Sequence, residues 1–193
     1  MNSDVAPLSP RDSVGLADGA VEVVPYRPAW ATLYEEESSR ITRVLAQHGL
    51  MVRLEHTGST AVPGLPAKPI LDILGGHTVD IDRSSVIAAL TEAGYTHRGE
   101  QGIPGRDFFR RGAPRQYHLH VTTLGSSFWH DHRDFRDYLR THPERCAEYA
   151  LLKRRLAAQF PRDRPAYIDG KADSVHQTLV LARAGAIESG SSS

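Results

Sequence analysis

The spacing of apolar residues changes along this chain, and that change limits the folds it can form. In the first two thirds, short apolar runs bounded by Gly, Pro or polar clusters predict β-strands. These runs are VEVVPY (21–26), MVRLEH (51–56), ILDIL (70–74), RDFFRR (106–111) and YHLHVTTL (117–124). In the last third, apolar residues recur every three or four positions, which predicts helices. We therefore predict an α+β fold, with a small mixed sheet and flanking helices over about 21–125 and a helical part over about 130–184.

Helical spacing predicts the connections within this order of elements. The expected helical segments cover about 28–47, 82–95, 130–160 and 173–183. Gly49 and Gly94 follow the first two segments and are typical helix stops. Pro143 lies near the start of a second helix within 130–160. The predicted order is β-α-β-β-α-β-β, followed by helices.

The length of the chain indicates one domain with two tails. A chain of 193 residues buries one good core but is short for two large domains. Residues 1–20 and 185–193 are rich in small and polar residues and show no apolar period. We predict that both segments are disordered and that the domain covers 21–184.

Charge and cysteine content limit the binding partners and the cellular compartment that we expect for this protein. Lys plus Arg and Asp plus Glu both number 23, so no net field attracts nucleic acid or an anionic membrane surface. No apolar run approaches the roughly 20 residues of a membrane-spanning helix. The only cysteine, Cys146, has no internal disulfide partner, and no secretory signal pattern precedes the domain, so we expect a cytoplasmic protein. The oligomeric state is not predicted.

One carboxylate, Asp72, stands inside the apolar run ILDIL. A charge in a buried strand is costly unless it is paired or binds a metal ion. Asp72 is therefore a candidate magnesium ligand, or else a strand-end residue that faces water or pairs with an arginine. The preceding loop favours a ligand site, since Gly58 permits close backbone approach, Ser59 offers a hydroxyl and Lys68 adds a positive charge.

The run YHLHV places two histidines on one face of a strand. His118 and His120 alternate with apolar residues, so their side chains lie about 7 Å apart on the same side. They either contact a metal ion or an anion, or are hydrogen-bonded residues at the sheet rim. Arg106 and Arg110 precede them at even spacing, and a shared face would allow both to clamp a phosphate or carboxylate.

These motifs together resemble the GrpB (UPF0157) family. The resemblance rests on EHTGSTAVPGLPAKPILDI, on VEVVPYRPAW before it, and on FFRR, YHLHV and FRDYLRTHPERCAEYALLKRRLA after it. It covers about residues 21–184. GrpB proteins look like members of the nucleotidyltransferase superfamily, in which a Gly-Ser pair precedes an Asp-x-Asp or Asp-x-Glu strand. The resemblance therefore implies a nucleotidyltransferase-like sheet with Gly58, Ser59 and Asp72 at its site.

The chain departs from that superfamily pattern at position 74. Leu74 stands where a second acidic metal ligand would be expected. Nucleotidyl transfer with two metal ions uses carboxylates to hold both ions. Three explanations stay open: Glu55, His118 or His120 completes the site, one metal ion suffices, or a nucleotide binds without being turned over.

Three functions are compatible with these residues. The first is metal-dependent transfer of a nucleoside monophosphate from a nucleoside triphosphate to a small-molecule acceptor, with Mg²⁺ as cofactor. The second is a non-catalytic protein that binds a nucleotide or another anionic metabolite. The third is a transition-metal enzyme in which His118, His120 and a carboxylate hold Zn²⁺ or Fe²⁺.

The first function assigns a role to each candidate residue. The catalytic candidates are Asp72, Lys68 and Glu55, and the metal ligands are Asp72, His118 and His120. The candidates for binding phosphate or substrate are Gly58, Ser59, Thr60, Lys68, Arg110, His56, Lys153 and Lys171.

Overall fold

A five-stranded mixed sheet forms the centre of the structure. The structure is a computed structural model that describes residues 13–190, with side chains described to residue 185. The strands are β1 (Arg53–Thr57), β2 (Leu71–His77), β3 (Thr96–His97), β4 (Asp107–Arg111) and β5 (Tyr117–Thr123). Their spatial order is β1-β2-β5-β4-β3. β2 and β5 are parallel, and the other neighbours are antiparallel. The predicted α+β class with a mixed sheet is confirmed.

Helices cover the sheet on both faces. They are α1 (Ala29–Gln47), α2 (Arg83–Glu92), α3 (Ser127–Thr141), α4 (Pro143–Gln159), α5 (Arg164–Asp169) and α6 (Ala172–Gly190). α1 and α2 cover the apolar face, where Ile73, Phe109 and Leu119 are fully buried with the main core. Strand alternation turns the neighbouring polar side chains to the opposite face, towards α3–α6.

The loop between β1 and β2 is fixed by a second, smaller core. Val62 and Leu65 pack with Leu139 of α3 and with Tyr149 and Ala150 of α4. Gly76 brings α3 close to the sheet, since a Cβ there would lie 2.6 Å from the ring of Trp129. These contacts hold the helical part against the polar face of the sheet and leave a cleft between them.

The segment VEVVPY is not a strand, and this prediction is wrong. Among the described residues, its only β contact is an isolated antiparallel bridge between Val24 and Ala67. Pro25 lacks an N–H and cannot extend a hydrogen-bonded ladder. The two-residue strand β3 and the six-residue helix α5 were not predicted, because neither is long enough for an apolar pattern to repeat several times.

The ends of the folded region differ from the predicted bounds of 21 and 184. Val14 and Leu16 are buried, and Leu16 forms a backbone bridge with Arg115. Packing therefore begins before residue 21, because two apolar side chains within a polar segment find a place against the sheet. Helix α6 continues to Gly190. Residues 1–12 and 191–193, where the rest of both predicted tails falls, lie outside the described residues.

Within residues 13–190, no helix has the length and apolar character needed to cross a lipid bilayer.

Candidate functional site

A cleft of about 510 Å³ opens between the polar face of the sheet and the helical part. Ten of the residues that the sequence singled out line it: Ser59, Thr60, Lys68, Asp72, Arg106, Arg110, His118, His120, Lys153 and Lys171. A second compartment of about 430 Å³ adjoins the first and is lined by Gly58 together with apolar residues of α3 and α6. Ser59, Asp72 and His120 line both compartments, so they form the junction between them.

Strand register explains why these side chains meet. Asp72 of β2 pairs with His118 of β5, which in turn pairs with Arg110 of β4. The next row on the same face contains Leu74, His120 and Phe108. The row of Asp72 is therefore polar across three strands, whereas the row of Leu74 carries no carboxylate.

The Asp72 carboxylate is hydrogen-bonded to an imidazole. His118 Nδ1 lies 3.1 Å from Asp72 Oδ1, and His120 Nε2 lies 3.8 Å from the same oxygen. Partial burial raises the pKa of Asp72, but the hydrogen bond with His118 and the nearby His120 outweigh it and hold that pKa well below its usual range. The carboxylate is therefore ionised in the cleft, where 33% of its side chain is exposed.

The Gly-Ser turn closes directly on this carboxylate. Gly58 has φ +68° and ψ −168°, a conformation that L side chains rarely adopt. A Cβ at this position would lie 2.7 Å from Asp72 Oδ2. Ser59 begins a short 3-10 helix, Ser59–Ala61, beside the same carboxylate. Glycine is thus required twice, by the backbone angle and by the approach of Asp72.

Two lysines that line the cleft are removed from solvent: Lys153 is buried and Lys68 is half-buried. Lys153 is 2% exposed and donates from Nζ to the carbonyl of Pro66. Burial, followed by the charge of Lys171, lowers the pKa of Lys153 well below its usual range. The same two causes lower the pKa of Lys68 to about 8. An anion bound in the cleft would raise the pKa of both lysines, because it favours the charged form of each.

Two candidate residues, Glu55 and His56, do not reach the cleft. Glu55 Oε2 accepts from Arg133 Nε at 3.1 Å and from Arg136 Nη1 at 2.9 Å, so it anchors α3 to β1. His56 points to the face covered by α1, where its ring stacks on Tyr34 with 4.7 Å between centroids. Alternation sends the two side chains to opposite faces as expected, but Glu55 is two residues before the strand position beside Asp72.

The structure adds residues that sequence reasoning did not select. His132 of α3 lines both compartments, and its Nδ1 lies 2.9 Å from the carbonyl of Phe128. Arg164 and Tyr167 of α5 line the larger, main compartment of about 510 Å³. The α3 and α5 residues join the cleft only through helix packing, which no local pattern reveals.

The donor atoms do not fit a resident metal ion. Among residues 13–190, no three or more His, Cys, Asp or Glu side chains are arranged to hold one. Among the described residues that line the main compartment, Asp72 is the only carboxylate, and its Oδ1 is hydrogen-bonded to His118 Nδ1. Mg²⁺ prefers oxygen ligands, and Asp72 offers it a single carboxylate. Among the described residues, His118 Nε2 has no hydrogen-bond partner, but Zn²⁺ or Fe²⁺ would need at least two further ligands placed around it, and no such group of three is present there.

Comparison with known proteins identifies the family. The family model described as "GrpB protein" matches residues 20–180. The chain belongs to the GrpB family. One relative, the UPF0157 protein YqkA of Bacillus subtilis, is 38% identical over 78% of this chain and 44% of its own length. Another, the UPF0157 protein PA4798 of Pseudomonas aeruginosa, is 40% identical over 84% of this chain and 67% of its own length. This GrpB chain therefore spans less than half of YqkA.

One solved structure agrees with this family. The GrpB protein of Enterococcus faecalis is 32% identical, superposes with a TM-score of 0.75 and covers 83% of this chain and 96% of its own. The Cid1 poly(U) polymerase is 9% identical with a TM-score of 0.40, over 68% of this chain and 45% of its own. That second likeness is too weak to support an inference about this GrpB protein.

Proposed function

We propose that this GrpB protein binds a nucleotide, with its phosphates in the main compartment. The supporting observation is the charge of the lining. Six cationic side chains line it, namely Lys68, Arg106, Arg110, Lys153, Arg164 and Lys171, against the single carboxylate of Asp72. The whole chain has no net charge. A local excess of this kind concentrates an anion at one place, and arginine and lysine are the usual partners of phosphate groups.

The adjoining compartment suits the remainder of such a ligand. Its apolar lining comes from Phe128 and Phe135 of α3, Val175 and Leu179 of α6, and Tyr149 of α4. Mostly apolar pockets with a few polar groups are typical of small-molecule sites. A nucleoside in this compartment would place its phosphates at the junction and beyond, towards the cations.

Transfer of a nucleoside monophosphate to a small-molecule acceptor is the second candidate. The observation that favours it is the Gly58 turn packed on an ionised Asp72, next to Ser59. The family resemblance implies such a turn and carboxylate at a transfer site. The residues present do not fit a resident metal ion, so any ion that this reaction needs would have to arrive with the nucleotide.

A thermal-shift screen tests nucleotide binding. Purified protein is heated with ATP, GTP, CTP or UTP, each with Mg²⁺ and with EDTA, and with adenosine as a control that lacks phosphate. A ligand at about 100 times its Kd stabilises by about 2.7 kcal/mol, or roughly 5–10 °C for a domain of this size. Stabilisation by at least one triphosphate and not by adenosine is expected. The proposal fails if none of the four nucleotides shifts the transition.

Release of pyrophosphate tests the second candidate. The protein is incubated with the stabilising nucleotide, Mg²⁺ and a mixture of small-molecule acceptors, and pyrophosphate and nucleotidylated products are measured by mass spectrometry. Activity that is lost in Asp72→Asn, while nucleotide binding persists, would support transfer. Binding without pyrophosphate release over many hours in every acceptor mixture would leave the protein a nucleotide binder.

A further inference from the structure

Four cations of the main compartment come from four separate parts of the chain. Lys68 lies in the loop before β2, Arg110 in β4, Arg164 in α5 and Lys171 between α5 and α6. We propose that they form a subsite for oligophosphate, which binds a triphosphate group directly and without a metal ion. This inference rests on the proposed function, since it concerns the same cleft, but it adds the ligand class and the binding mode.

The four cations have few protein partners. Among the described residues, Lys68, Arg164 and Lys171 form no ion pair, and Arg110 reaches only the exposed Asp18 at 3.8 Å. The Nε atoms of Arg110 and Arg164 are buried and have no hydrogen-bond partner there. Buried N–H groups of this kind usually bind something, because an unsatisfied donor costs about 1–3 kcal/mol.

The aromatic ring of Tyr167 brings two of the charges together. Lys68 Nζ lies 5.4 Å and Lys171 Nζ lies 5.3 Å from the centroid of this ring, which is 1% exposed. The ring face attracts each ammonium group, but the two like charges destabilise one another. An anion between them would turn that repulsion into attraction.

The number of cations indicates an oligophosphate rather than a single phosphate. A phosphate monoester carries about −1.5 to −2 at neutral pH, and each further phosphate adds about one charge, so a triphosphate carries about −4. The four cations whose side chains have no hydrogen-bond acceptor among the described residues match this charge, whereas a single phosphate would leave two of them uncompensated. The other two cations of the lining, Arg106 and Lys153, already donate to backbone carbonyls. The subsite should bind triphosphate more tightly than pyrophosphate, and pyrophosphate more tightly than phosphate.

The same charges disfavour a divalent ion. A Mg²⁺ ion on the triphosphate would neutralise two of its charges and would itself be repelled by the cations. The one carboxylate available to compensate, Asp72, already bonds His118. The metal-free triphosphate is thus the better ligand, and excess Mg²⁺ should weaken its binding.

Isothermal titration calorimetry with inorganic triphosphate, pyrophosphate and phosphate tests the subsite. The full chain is titrated in EDTA and again in excess Mg²⁺, as wild type, Arg164→Gln and Lys171→Gln. Arg162→Gln is the matched control, because Arg162 is exposed, lies two residues from Arg164 and is absent from the cleft lining. Urea unfolding of each variant confirms that it is folded.

We expect triphosphate to bind in EDTA at least tenfold more tightly than phosphate, and each cleft variant to weaken it about tenfold. The control should match the wild type. Equal affinities for phosphate and triphosphate, binding only with Mg²⁺, or cleft variants that match the control would each overturn the proposal. If nucleotides bind only with Mg²⁺, the nucleotide proposal survives and this one fails. If triphosphate binds in EDTA but no nucleotide binds, the subsite stands and the nucleotide proposal fails.

Discussion

Replacing Gly58 by alanine should damage both the stability and the ligand site of this protein. The backbone at this position has φ +68° and ψ −168°, a region used almost only by glycine. Holding an alanine there costs about 1–3 kcal/mol. The new Cβ would also lie 2.7 Å from Asp72 Oδ2 and 3.1 Å from Asp72 Cβ. These atoms cannot stay where they are, so Asp72 must move.

The second cost follows from that displacement. Moving Asp72 breaks its hydrogen bond with His118, and a hydrogen bond to a charged group contributes about 1.5–3 kcal/mol. With partial relaxation, we expect Gly58→Ala to lower the free energy of unfolding by about 3 kcal/mol in total. Nucleotide affinity should fall as well, because Asp72 and Ser59 stand at the junction of the two compartments.

Gly64→Ala separates the two causes. Gly64 also has a positive φ of +78°, but a Cβ there would meet nothing within 4 Å. It should cost only the backbone term, about 1–2 kcal/mol. Urea unfolding followed by circular dichroism gives both free energies. If Gly58→Ala proves no less stable than Gly64→Ala and binds nucleotide as well as the wild type, then the close approach of Gly58 to Asp72 contributes neither to stability nor to nucleotide binding.

Three further predictions concern buried charge. Glu37→Gln should lower the free energy of unfolding by about 3 kcal/mol, because Glu37 is 3% exposed and pairs with two arginines. The exposed control Glu36→Gln should change that free energy little, and equal effects of the two variants in urea unfolding would contradict the prediction. Burial lowers the pKa of His56 from 6.5 to about 4 in the folded protein. As the pH falls, His56 is therefore protonated in the unfolded chain before it is protonated in the folded one, and the free energy of unfolding should decline from pH 6.5 towards pH 4. His56→Gln should flatten that decline in urea titrations; an unchanged pH profile would count against it. Asp72→Asn keeps an oxygen that can accept from His118 and loses only the charge, so it should be less stable than the wild type at pH 7 by no more than roughly 1 kcal/mol. The difference should shrink as the pH falls below about 4, because the pKa of Asp72 is depressed in the folded state; a far larger loss would make the carboxylate structural.

The part of the site that lies on strands could be predicted from the sequence. Asp72, Arg110, His118 and His120 share a face because side chains alternate along a strand, and this rule is local. The family resemblance pointed to the Gly58 turn. The packing of that turn on Asp72 needed the structure, since no sequence pattern gives the distance between a loop and a neighbouring strand.

The remainder of the site depends on how helices dock. Arg164, Tyr167 and His132 reach the cleft because α3 and α5 pack against the sheet at particular angles, and those angles follow from the whole core. Glu55 shows the opposite failure. It belongs to the correct strand and the correct face, but the arginines of α3 compete for it, and they come from a segment about 80 residues away.

We propose above all that the cationic cleft binds the phosphates of a nucleotide. Calorimetric titration with a nucleoside triphosphate tests it most directly when wild type is compared with Lys68→Gln/Arg110→Gln, a pair from two separate elements of the cleft. We expect one binding site per chain, with a Kd at least tenfold higher in the double variant and unchanged in Arg162→Gln. No binding by the wild type, or a Kd that the double variant leaves unchanged, would contradict it.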